Sequence, residues 1–200
     1  MQPAPRPDMQ SEVVRLQVLT LAWMLIECAV SLTASIRAKS VSLFAFSSDS
    51  FVEVISAAVV LAQVLPGFRL SPARAARACG TLLYALAVVV SLIALAGLLC
   101  KIESTPSTLG IAVTAGALVM MPALAWQKRR AALRLHSKAL FADAVQSATC
   151  AYLAALTLAA LLLRHHVDLR WIDPVAALAA VPVLIGEGRR ARRGETCGCC

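Results

Sequence analysis

Apolar residues run in six blocks along the chain, at about residues 16–36, 41–65, 79–100, 107–126, 139–163 and 171–187. Each block is near the roughly 20 residues that an α-helix needs to cross a hydrocarbon core of about 30 Å. Hydrocarbon offers backbone N–H and C=O groups no outside partner, so blocks of this length read as helices. The connectors are short and carry Pro, Gly or charge: Arg37 with Lys39, then PGFRLSPARAARA, KIESTPS, QKRRAALRLHSK and RHHVDLR. The pattern predicts an all-α, polytopic bundle of six transmembrane helices over residues 16–188. A tail at 1–15 precedes it and a Cys-containing tail at 189–200 follows, with no room for a second folded domain.

Composition agrees with this reading. The chain is 60% hydrophobic and only 15% charged, with a mean hydropathy of +0.77, whereas soluble domains carry about 25% charged residues. A soluble enzyme, a large extramembrane catalytic module and a disulfide scaffold are thereby excluded. The 19 Lys and Arg residues are unevenly shared, fourteen on the side of both tails and five on the other side. Cytoplasmic loops carry such an excess, so both termini are expected in the cytoplasm with an even number of spans. This asymmetry accounts for the net charge of +8, and no nucleic-acid partner is called for. The opening MQPAPRPDMQSE is a weak signal-peptide n-region and Glu27 interrupts the first block, so that block is read as a retained span. Trp126 and Trp171 fall at opposite span ends, as interfacial aromatic residues do. The Ala- and Arg-rich composition suggests a bacterial plasma (inner) membrane.

The seven cysteines do not suggest disulfides. Cys28 and Cys150 fall within spans, Cys79 at the inner start of span three, and Cys197, Cys199 and Cys200 in the inner tail; only Cys100 lies near the outside. Thiols on the reducing side point to metal ligation or packing.

The informative residues are the carboxylates inside spans: Glu27, Asp49, Glu53 and Asp143. An Asp at a helix centre costs about 2.5–3.5 kcal/mol on insertion scales, so Asp49 and Glu53 together nearly offset what the aliphatic residues of span two return. No Lys or Arg falls inside any block, so simple ion pairing within the bundle is disfavoured and a polar cavity or a cation is expected. Asp49 and Glu53 are four residues apart and share a helix face, which makes half a cation site. An internal echo suggests the other half. LFAFSSDSFVE in span two aligns with LFADAVQSATC in span five, setting Asp49 opposite Gln146 and Glu53 opposite Cys150. Spans two and five run antiparallel, as inverted repeats that build a midplane site do.

The acidic-x-x-x-acidic pair of span two and the AD-x-x-x-x-x-x-C stretch of span five resemble the cation diffusion facilitators, specifically a short bacterial branch without the cytoplasmic C-terminal domain. WMLIECAVSL, FSSDSFVEVIS, FADAVQSATCAYL, WIDPVAAL and the CGCC tail carry the likeness over residues 16–190. It implies export of divalent metal, chiefly zinc, in exchange for protons, often by homodimers. Asp49, Glu53, Gln146 and Cys150 would then be the metal ligands, with Asp143 matching the Asp of the family's AD dipeptide. Gln146 and Cys150 stand where that family has His or Asp and then Asp, and a thiol in place of a carboxylate favours zinc or cadmium over magnesium or manganese.

The expected activity is therefore a metal transporter, not an enzyme, with no permanently bound cofactor and with Zn²⁺ or a similar ion as substrate. Its ligands bind metal only when deprotonated, so metal exit can be coupled to proton entry. The rival reading is a non-transporting metal sensor or partner subunit. An enzyme such as a thiol oxidoreductase is set aside because no outward-facing C-x-x-C pair exists. Glu27 is a candidate secondary metal or proton site, and the C-x-C-C cluster of Cys197, Cys199 and Cys200 a candidate collector of soft metal. His165 and His166 belong to a solvated outer loop, and Cys28, Met120 and Met121 to packing. The small-residue stretch AALAAVPVLIGEG of span six suits close helix contact, within the bundle or with a second copy.

Overall fold

The computed structural model describes residues 7–64, 72–100, 104–135, 138–166 and 171–193. The tail cysteines Cys197, Cys199 and Cys200, and the side chains of Cys79, His165 and His166, lie outside the described residues. Six helices follow one another: α1 (Pro7–Ala38), α2 (Val41–Val64), α3 (Pro72–Leu99), α4 (Thr108–Leu135), α5 (Lys138–His166) and α6 (Ile172–Arg193), with no strand among the described residues. Pro7 and Pro72 open α1 and α3 at the first helical position, where a missing N–H costs nothing.

The packing is inside-out relative to a water-soluble bundle. Leu25, Ile26, Leu92, Leu99 and Val119 are exposed, whereas Gln17, Glu27, Asp49, Glu53, Lys128, Asp143 and Ser147 are buried. Apolar surface on this scale would associate in water; in lipid it is the solvated face. Among the described residues five helices are long and apolar enough to cross a membrane, which makes this a multi-pass membrane protein. Helix α6 falls short of that standard. Its apolar part ends at Gly186, before Glu187 and Arg189, and rises only about 22 Å from Ile172.

Helices α1 and α4 show why the bundle closes. On α1 the buried positions Val13, Gln17, Thr20, Met24, Glu27, Ser31, Ala34 and Ala38 recur at alternating intervals of four and three. On α4 the same rhythm runs through Gly110, Thr114, Ala117, Met121, Leu124, Lys128 and Ala131. That is the seam of a left-handed helix pair. Helix α2 is the most enclosed, with over half of its span buried against less than half in each of the other four candidate spans. It touches α1, α3, α5 and α6, while α4 lies along α5 and α3 along α6.

The small residues of α6 are used within the bundle. Ala177, Ala180 and Leu184 are buried, and at Gly188 the α6 backbone meets α3 at Gly80 so closely that a Cβ on Gly80 would stand 2.8 Å from the Gly188 carbonyl oxygen. Gly at this crossing is required by contact between backbones.

The α1–α2 connection is a tight corner. Lys39 adopts a left-handed conformation (φ 51°), and the Ser40 N–H donates to the Ser35 carbonyl at 3.1 Å, closing α1 in a Schellman motif. Ser40 caps α2, its hydroxyl accepting from the Leu43 N–H at 3.2 Å. Asp173 of α6 reinforces this start: one oxygen accepts from the Val41 N–H at 2.7 Å, and the other accepts from the hydroxyls of Ser40 and Ser42 at 2.6 and 2.5 Å. A carboxylate at a helix N-terminus also meets the positive end of the helix dipole.

Four boundaries differ from those expected from the sequence: α3 begins at Pro72 and not near 79, α6 runs to Arg193 and not to 187, and the other two are in α1 and α4. Helix α1 begins at Pro7, so residues 7–15 of the expected tail are helical. Helix α4 runs to Leu135, well past residue 126, because AWQKRRAALRL is made largely of strong helix formers and contains no breaker.

Candidate functional site

The longer α4 changes the interior. The expectation that no basic group lies among the spans is corrected by Lys128, which was read from the sequence as part of a basic loop. One more step of the α4 seam beyond Leu124 carries Lys128 into the bundle, where its side chain is 0% exposed. Its ammonium uses all three donors. It lies 2.9 Å from Asp143 Oδ2, 3.5 Å from Glu53 Oε1, and donates to Ser147 Oγ at 2.8 Å. Ser147 in turn donates to Glu53. Gln17 on α1 donates to Asp143 Oδ2 at 2.9 Å, and Ser56 on α2 reaches Asp143 Oδ1 at 3.4 Å. Four helices thus meet on one ammonium ion and two carboxylates.

A second cluster lies further along α2. Glu27 on α1 accepts from Trp23 Nε1 and from Ser50 Oγ, each at 2.7 Å, and from Cys150 Sγ on α5 at 3.6 Å. Asp49, one turn before Glu53 on α2, lies between the two clusters. It is 1% exposed, sits beside the Cys150 thiol and lies in the electrostatic field of Glu53, Glu27 and Glu187. Its Oδ2 has no hydrogen-bond partner, and the same is true of Glu53 Oε2, Gln146 Nε2 and Gln17 Oε1. Buried polar groups are seldom left so, because each costs about 1–3 kcal/mol.

The five residues expected as ligands therefore divide. Asp49, Glu53, Asp143 and Cys150 are all buried on the interior faces of α2 and α5. Gln146 is half-buried, on the flank of the stripe formed by Asp143, Ser147, Cys150 and Ala154. Among the described residues, no three of His, Cys, Asp and Glu come close enough together to hold a metal ion. Glu27, expected as a secondary group, joins Cys150 directly.

Lys128, Ser147, Ser50, Gln17 and Asp173 were not singled out by the sequence reading. The signal for Lys128 was available in the four-three rhythm of α4, which reaches residue 128 without a break. Ser147 and Cys150 likewise continue the rhythm that begins at Asp143.

Polar contacts recur along most of α2. From Ser56 and Asp143 they pass through Glu53, Asp49 and Glu27. The Cys28 thiol then reaches the Ser47 carbonyl at 3.5 Å, and Thr157 reaches the Ser42 carbonyl at 3.4 Å before Asp173 is met. Along α2, residues 42 to 56 span about 21 Å of a hydrocarbon core about 30 Å thick. Comparison of the sequence with protein-family models and with curated proteins gives no match.

Proposed function

We propose that this protein moves cations through its interior, with a divalent heavy metal, zinc foremost and cadmium next, as the exported substrate and protons as the counter-ion. One observation carries the reading: Glu27, Asp49, Glu53 and Asp143 are buried in the interior with, among the described residues, one buried lysine, Lys128. Four carboxylates facing one ammonium leave an excess of negative charge in low dielectric, where an uncompensated charge is very costly. Protons or metal ions must make up the balance, and an interior that accepts either one is suited to exchanging them. The polar track along α2 supports movement rather than static binding, and the motif resemblance supports metal as the cargo.

In this reading Lys128 is a tethered cation. Its ammonium stands between Glu53 and Asp143, on α2 and α5, so it competes with an arriving metal for the same oxygens. Metal entry would displace Lys128, draw Asp49 and Glu53 toward Cys150 and Asp143, and release protons. Return of the ammonium would expel the metal. The α2 and α5 faces thereby change packing between two states, as alternating access requires.

The test is zinc and cadmium flux into proteoliposomes holding the purified protein under an imposed pH gradient, with Asp49→Ala as the comparison. Gradient-dependent flux that the variant lacks, while it still inserts and folds, is the expected result. Metal binding without flux would replace transport by the role of a sensor or partner subunit, and no binding at all would remove the metal.

A further inference from the structure

At the arginine-rich end of the bundle, α1 and α4 part to leave a cavity of about 450 Å³ that opens to the surface. Arg15 from α1 and Arg130 and Arg134 from α4 line it, with Leu16, Leu19 and Trp126 on the side toward the membrane. No acidic residue is among the described residues that line it. Leu19 and Trp126 are both more than half exposed, and the three arginines are exposed as well.

The order of chemistry in this cavity matches the depth of a bilayer. Leu19 continues the lipid-facing surface of α1, whose next members are Leu25 and Ile26. Trp126 stands where that surface ends, the position at which indole rings settle at the headgroup level. The arginines come immediately beyond. The Arg130 guanidinium lies 3.6 Å from the centre of the Trp126 ring, a stacking that holds its planar fork in place and lowers the entropy lost when it binds. Guanidinium groups take phosphate oxygens in pairs, and basic pockets between transmembrane helices receive lipid headgroups.

We infer that this cavity binds the headgroup of an anionic phospholipid, its phosphate held by Arg15, Arg130 and Arg134 and its proximal acyl chain lying on Leu16, Leu19 and Trp126. A free phosphate would use the arginines but leave the apolar side of the cavity empty; the juxtaposition of both surfaces is what selects a lipid. The inference is independent of the transport reading, since none of these side chains belongs to the two buried polar clusters around Lys128 and Glu27.

The experiment is native mass spectrometry of the full-length protein released from mixed vesicles of equal phosphatidylglycerol and phosphatidylcholine, for the wild type and for Arg15→Gln, Arg130→Gln and Arg134→Gln singly and combined. Wild type should retain phosphatidylglycerol preferentially, with retention falling about fivefold for each arginine removed. Should the triple variant fail to fold, Arg130→Gln and Trp126→Ala supply the reading. Equal retention of both lipids by the wild type, or undiminished preference in the variants, overturns the inference. Displacement of bound phosphatidylglycerol by millimolar inorganic phosphate overturns it too, because the site would then serve a soluble anion.

Discussion

Lys128 Nζ lies 2.9 Å from Asp143 Oδ2 with both side chains fully withdrawn from solvent. The pair joins α4 to α5 toward the end where the two helices connect, and Glu53 ties α2 to the same ammonium. Removing the cation alone leaves two buried carboxylates without compensation. Lys128→Met is therefore expected to destabilise the fold by about 3–5 kcal/mol. Adding Glu53→Gln should restore part of that loss, which thermal unfolding of the single and double variants in one detergent would measure as a positive coupling.

Asp49 and Asp173 should behave in opposite ways. Asp49 Oδ2 has no partner and its carboxylate faces three others, so Asp49→Asn removes repulsion and leaves thermal stability unchanged or higher. Its metal flux should fall at least about tenfold if the proposed function holds, since charge and not hydrogen bonding is what the cation meets. Asp173 holds the first turn of α2 through both oxygens. Asp173→Ala should cost about 1–3 kcal/mol through the unpaired Val41 N–H and serine hydroxyls. Parallel melts and flux assays separate the two residues.

At the α3–α6 crossing a side chain has no space. A Cβ on Gly80 would approach the Gly188 carbonyl oxygen to 2.8 Å, and backbone cannot step aside as a side-chain tip can. Gly80→Val is expected to push α6 off α3 and to lower stability by about 1–3 kcal/mol. A lower melting temperature is the readout.

The left-handed Lys39 supplies a gain instead. An L-residue in that conformation is strained by about 1 kcal/mol or more, and Gly carries none of the strain. Lys39→Gly should raise the stability of the α1–α2 corner by roughly that amount, less the extra chain freedom Gly brings to the unfolded state.

The three described cysteines give a labelling ladder. Cys100 is exposed, Cys28 half-buried and Cys150 buried. A membrane-impermeant maleimide should modify Cys100 from one face of the membrane only. Cys150 should react only after denaturation. Labelling of Cys100 from the outside of intact cells would support the orientation expected from the Lys and Arg distribution.

What the sequence made legible follows from which forces act locally. Apolar blocks of spanning length set out the helices, and Asp49, Glu53, Asp143 and Cys150 were found as interior polar residues because polarity inside such a block stands out. Asp173 escaped notice because it lies at a block boundary, where a carboxylate is unremarkable until α2 is seen to start beside it. Lys128 escaped for a related reason. Within QKRR its charge reads as a topology signal, and only the helix phase, carried forward from Leu124, turns it inward while Arg129 and Arg130 face out. Helix α6 runs on to Arg193, past the end expected at residue 187, because Gly186–Glu187–Gly188 was read as the end of a span, when the chain there is already running against Gly80.

The corner at Asp173 also determines how α2 can move. A helix held through both oxygens of one carboxylate at its start, and two residues away from α1, is fixed there like a hinge pin. Midway along, at Glu53, it is tied to a flexible lysine that can let go without breaking any backbone bond. Tilting about Asp173 moves Ser42 little and Glu53 more, so the displacement grows along the helix, past the ammonium, toward Val64. A bundle built this way opens more readily at its arginine-rich end than at the end where Lys39 turns the chain, and the asymmetry resides in the fastening of a single helix.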